Sequence, residues 1–176
     1  IKVMINSNST TYLATNGTYS SLQIEGKETT NDCTVRSIAT AFDVSMRTAY
    51  KLAEDKFMRE PKRGVSSTII QDAFEAGKFN KVDGRKFSVR TMKKEEITNA
   101  YRNRGEIVLR KKTVKSFIAS HPKGTYYVLV SKHAFTVKDG ELLDHGNFGN
   151  QPTRKVQSAF QVVGEKVDNG QLEFNF

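Results

Sequence analysis

The chain has 176 residues, of which 37% are hydrophobic and 27% charged, with a net charge of +9. That length suits one compact domain with a core, and no window approaches the run of about 18 apolar residues that a membrane span needs. Cys33 is the only cysteine, which excludes an intramolecular disulfide and a multi-cysteine zinc site and suits a reducing compartment.

Residues 1 to 18 are rich in Ser, Thr and Asn and read as a polar arm, with no signal peptide visible. Tyr19 to Ile24 has the character of a short strand, and a polar loop, Lys27 to Asp32, then delivers the chain to Cys33. Beyond Cys33, the residues Val35, Ile38, Ala39 and Phe42 fall at i, i+3, i+4 and i+7, which predicts an amphipathic helix ending near Asp43 with one face buried. Ser45 caps a second predicted helix running to about Phe57, and Ser66 or Ser67 starts a third that stops at Gly77. Lys86 to Thr91 alternates as a strand, whereas Lys93 to Arg102 reads as a helix and Ile107 to Leu109 has no clear assignment. Thr113 caps a short helix carrying Val114, Phe117 and Ile118, which His121-Pro122 ends. Strands follow at Thr125 to Val130, His133 to Lys138, Glu141 to Asp144 and Val156 to Val163. Helices followed by an antiparallel meander give an α+β class.

The position of Cys33 has chemical meaning. A thiol in the first turn of a helix meets unpaired backbone N–H groups and the positive end of the helix dipole, and both favour thiolate. A lone cysteine is also a common small core residue, so a partner is needed to decide. Asp139-Gly140 is a strong hairpin signal, and a two-residue turn there makes every opposed pair sum to 279. Asp144 then lies opposite Phe135, on the face that Phe135 shares with His133. The two are diagonal neighbours about 7 Å apart at the backbone, within reach of an imidazole and a carboxylate. A bond from Nδ1–H of His133 to Asp144 is expected to leave Nε2 facing outward as a base. His145 and Asn147 fall on the other face, and His121 reads as a helix-end or surface residue.

Two blocks, Thr30 to Ala39 around Asn31-Asp32-Cys33 and His121 to Gly140 around His133, resemble small cysteine peptidases of the papain-like fold encoded by bacteriophages and bacteria. The resemblance spans roughly residues 28 to 163 and implies a papain-like domain over 19–163, followed by a tail over 164–176. It implies Cys33 as nucleophile, His133 as general base, Asp144 as its orienting group, and no metal or organic cofactor. It also implies a protein or peptide substrate, met in a host cytoplasm or a virion. Papain-like enzymes take an oxyanion-hole amide from a glutamine a few residues before the cysteine. Here Lys27 stands six residues back, so Asn31 is the expected donor, with Gln23 second. Asp32 is expected to turn away from the thiol and cap the helix.

Two other readings of the residues stand beside hydrolysis. Acyl transfer of the transglutaminase type uses the same three residue types in the same order. The basic runs Lys56 to Arg63, Arg85 to Lys94 and Arg102 to Lys115 suit a binding module for nucleic acid or an acidic protein on an inactive scaffold. The closing Gln171 to Phe176 has some likeness to peptides that bind bacterial sliding clamps.

Overall fold

The computed structural model describes residues 2–3, 11–14, 31–144 and 151–165, the first two segments and Gln151 as backbone. The predicted strand at Tyr19 to Ile24, the residues Gln23, Lys27, His145 and Asn147, and the Gln171 to Phe176 tail lie outside them.

The class is α+β. Short strands β1 (Lys2–Val3) and β2 (Thr11–Ala14) precede three helices: α1 (Cys33–Phe42), α2 (Met46–Phe57) and α3 (Ser67–Glu75). Then come β3 (Lys81–Val82), β4 (Arg85–Thr91), α4 (Lys94–Ile97), β5 (Thr98–Asn103), β6 (Glu106–Lys111) and α5 (Val114–Ser120). The described part closes with β7 (Thr125–Val130), β8 (His133–Lys138), β9 (Glu141–Asp144), a 3-10 turn at Gln151–Thr153, and β10 (Ser158–Gly164). The main sheet has the order β1-β2-β9-β8-β7-β10-β4-β3, with β5 and β6 forming a separate ribbon. Six strands from β9 to β3 are antiparallel, and β2 joins β9 in parallel. Residues 11–14 thus add a strand to the sheet where the composition suggested an arm. A sheet edge offers unpaired backbone groups that pair with a polar segment as well as an apolar one.

The sheet is covered on both faces. On one side Tyr127, Leu129, Ala134, Phe160 and Val162 pack with α1, α2 and α3. On the other, Tyr126, Val128, Phe135 and Val137 pack with Val114, Phe117 and Ile118 of α5. Phe74 centres the first core, with its ring against Phe57, Phe79, Tyr127 and Phe160 at centroid distances of 5.7, 4.9, 5.0 and 4.6 Å.

The helix boundaries follow their caps. Ser45 Oγ accepts from Thr48 N at 3.1 Å, Ser66 Oγ from Ile69 N at 3.4 Å, and Thr113 Oγ1 from Ser116 N at 3.1 Å. Helix α1 departs from its expected one-sided burial: every residue from Thr34 to Phe42 is buried, because the sheet lies beneath it and α2 packs alongside. Two of its buried hydroxyls have partners: Ser37 Oγ donates to Cys33 O at 2.8 Å, and Thr40 Oγ1 donates to Thr136 Oγ1 of the sheet at 2.7 Å.

The predicted helix over Lys93 to Arg102 is corrected. Only Lys94–Ile97 is helical, and Thr98–Asn103 pairs with Glu106–Lys111 across a turn at Arg104 and Gly105, both at positive φ (48° and 86°). Pairing with the β-branched Ile107 and Val108 outweighs the local helical preference of the segment.

Candidate active site

The hairpin at Asp139-Gly140 forms with both residues at positive φ (48° and 78°), the geometry of a two-residue primed turn. The pairs Thr136 with Leu143, Val137 with Leu142 and Lys138 with Glu141 each satisfy the expected sum. Asp139 Oδ1 also accepts from Gly124 N at 3.0 Å, tying the turn to the start of β7. This register carries Asp144 to His133: Nε2 and Oδ2 stand 2.7 Å apart, with Asp144 buried and the His133 side chain 21% exposed.

The ring is therefore reversed from the expected orientation. The far nitrogen, Nε2, reaches the diagonal carboxylate, which leaves Nδ1 for the hydrogen bond that His133 shares with Cys33. His133 and Asp144 share the sheet face of Phe135 and Val137, yet α1 covers the opposite face. Imidazole and thiol meet because His133 is the first residue of β8, where Lys132 at φ 57° turns the chain beside the first turn of α1.

Burial pushes the Cys33 thiol up, but the hydrogen bond and charge of His133, the Ala134 backbone N–H and Thr34 together bring it below its ordinary 9.0. Burial likewise lowers His133, but its hydrogen bonds to Asp144 and Cys33 and their charges carry it up from 6.5 to about 9. Both shifts favour the thiolate–imidazolium form of the pair over the neutral one.

Asp32 is the N-cap residue of α1 but makes no side-chain cap. Its Oδ1 instead accepts from Arg36 Nε at 3.0 Å, one turn on, in a buried ion pair. The guanidinium offsets the carboxylate charge that would oppose a thiolate at the next residue.

The structure gives Asn31 another task than the one expected of it. Its Nδ2 donates to Lys62 O at 2.9 Å, and its own carbonyl accepts from Arg59 Nη2 at 3.5 Å. At φ 55° Asn31 holds the turn into α1, a conformation asparagine tolerates well, and it does not line the cavity over Cys33.

That cavity measures about 720 Å³ and is bounded by Cys33, Thr34, His133, the Gly64 to Ser67 approach to α3, Ser131 and Gln157. The volume suits a peptide segment or a small ligand. Gln157 escaped the sequence reading because nothing local marks it: it lies 124 residues beyond Cys33 and reaches the cavity only through its backbone bond to Leu129 O at 2.8 Å. Its Oε1 accepts from Lys111 Nζ, which leaves its N–H groups as donors.

His121, as expected, serves a helix end: its ring stacks on Phe117 at 4.4 Å and its Nδ1 lies 2.9 Å from Phe117 O. Among the described residues no group of three or more His, Cys, Asp or Glu side chains is placed to hold a metal ion. Among the same residues no helix is long and apolar enough to cross a membrane. A scan against family models and searches of curated proteins and of solved structures find no match to this chain.

Proposed function

We propose that the protein is a thiol hydrolase of the papain-like type, acting as a peptidase or isopeptidase through Cys33, His133 and Asp144. The observation that carries this reading is that His133 bonds Asp144 through Nε2 and shares a hydrogen bond with the helix-borne Cys33.

The Cys33 proton passes to Nδ1 of His133, and the thiolate attacks the carbonyl carbon of an amide or ester seated in the cavity. Collapse of the tetrahedral species expels the leaving group, which takes the proton from the imidazolium and leaves an acyl-thioester. His133 then removes a proton from water, the hydroxide attacks the thioester, and the acid departs as the proton returns to sulfur. Asp144 accepts from Nε2–H throughout and holds the ring in one plane. The Cys33 backbone N–H, at the open end of α1, is one donor for the oxyanion. The Gln157 amide is the second in this reading, in place of Asn31.

The test is alkylation of Cys33 by iodoacetamide across pH, followed by intact mass, with His133→Ala beside the wild type. Rapid labelling well below the ordinary thiol range, lost in the variant, is expected. Slow labelling that rises only near pH 9 in both proteins refutes the reading.

A further inference from the structure

The β5–β6 ribbon takes no part in the chemistry above. It stands apart from the main sheet, and every residue from Ala100 to Ile107 is exposed. Its pairing splits the side chains into two faces. The face turned toward the cavity has three levels: Arg102 with Ile107 at the tip, Ala100 with Leu109 in the middle, and Thr98 with Lys111 at the root. The root fixes that direction, since Lys111 Nζ donates to Gln157 on the cavity wall. The opposite face turns to α5, where Asn99 Nδ2 donates to Ser116 Oγ at 3.1 Å.

On the cavity side, Ile107 is 71% exposed beside Arg102, and Leu109 is 45% exposed at the level between Arg102 and Lys111. The ribbon is firmly rooted. Arg90 forms a two-pronged pair with Glu96 of α4 at 2.7 and 3.0 Å, and Lys112 N bonds Ile97 O at 2.9 Å.

We propose that this face recognises the protein to be cleaved, binding an extended segment of the pattern acid, any residue, aliphatic, any residue, acid. The proposal rests on the hydrolase reading. The two cations sit two levels apart, which is about 13 Å along a strand, and an extended peptide spaces residues i and i+4 by the same amount. An aliphatic residue at i+2 then falls on Ala100 and Leu109, with the diagonal Ile107 beside it, while the carboxylates at i and i+4 meet Arg102 and Lys111. A phosphate backbone would satisfy the two cations but offers the aliphatic strip no matching surface, so the polypeptide is the better complement.

The experiment uses the full chain carrying Cys33→Ser, to prevent turnover, and fluorescence anisotropy with a labelled peptide containing Glu-Thr-Val-Thr-Glu. A peptide with Lys in place of both Glu and a labelled duplex DNA serve as comparisons. The acidic peptide is expected to bind, and Ile107→Ser with Leu109→Ser, or Arg102→Glu alone, to weaken it by about tenfold or more. The Lys peptide is expected not to bind. Absence of binding to the acidic peptide, equal binding by the variants, or tighter binding of DNA overturns the proposal. The same ribbon substitutions with Cys33 intact are expected to keep the wild-type alkylation profile, which shows that the site still folds. Loss of that profile in the variants overturns a purely recognitional role. A wild type without an activated thiol sinks the hydrolase reading while leaving peptide binding to stand or fall separately.

Discussion

Replacing Asp144 by Ala removes the acceptor 2.7 Å from His133 Nε2. The imidazole stands at about 9 against an ordinary 6.5, a difference of roughly 3 kcal/mol in favour of the charged ring at 1.36 kcal/mol per pH unit. The hydrogen bond to Asp144 is the largest of the effects that raise it, and burial acts in the other direction. Without the carboxylate, burial dominates, the ring releases its proton near or below its ordinary range, and Cys33 loses the charge that lowers it. The sign is definite. In the wild type the ion pair exists above the lowered thiol pKa and persists until His133 deprotonates near pH 9. In Asp144→Ala that window closes, and labelling at pH 7 falls about tenfold or more because an ordinary thiol is only a few per cent thiolate there, on the order of 3%. The assay is the iodoacetamide profile from pH 4 to 10, joined to an NMR titration of the His133 ring. A variant whose profile overlays the wild type, with the ring still titrating near pH 9, refutes the assignment of Asp144 as the group that holds the pair.

The remaining predictions concern the surroundings of the site and the core. Gln157→Ala is expected to lower turnover of p-nitrophenyl acetate by about 100-fold with the alkylation profile unchanged, as for loss of one oxyanion donor. Asn31→Ala is expected to lower the same turnover less than about twofold, while costing about 1 kcal/mol of stability through the lost bond to Lys62. Thr136 is fully buried, its Oγ1 2.7 Å from Thr40 Oγ1 and donating to Ser37 O at 3.0 Å, so it ties β8 to α1. Thr136→Val is expected to cost about 1–3 kcal/mol in urea unfolding. Phe74→Ala empties the centre of the aromatic core and is expected to cost about 3–5 kcal/mol by the same measurement; a cost under 1 kcal/mol would show that the cluster repacks.

The elements that sequence could locate are those whose signal is local. Ser45, Ser66 and Thr113 cap helices because a side-chain oxygen three residues before an amide needs nothing from the rest of the chain. Asp139-Gly140 sets the β8–β9 register for the same reason, and period-two alternation then carries His133 and Asp144 to one face. Segments whose partners are distant were opaque. The ribbon at Thr98–Lys111 depends on pairing across a turn, β2 on an edge supplied some 130 residues later, and the position of Gln157 on the path of β10.

By itself, then, the sequence determined an α+β chain with a thiol at a helix start and an imidazole and carboxylate on one sheet face, because caps, turns and periodicity act over a few residues. Tertiary structure alone decided that the imidazole turns Nε2 to Asp144, that Arg36 pairs with Asp32, that Asn31 turns to Lys62, and that Gln157 enters the cavity. Each of those depends on the few ångströms by which packed elements approach one another, a distance no local pattern encodes.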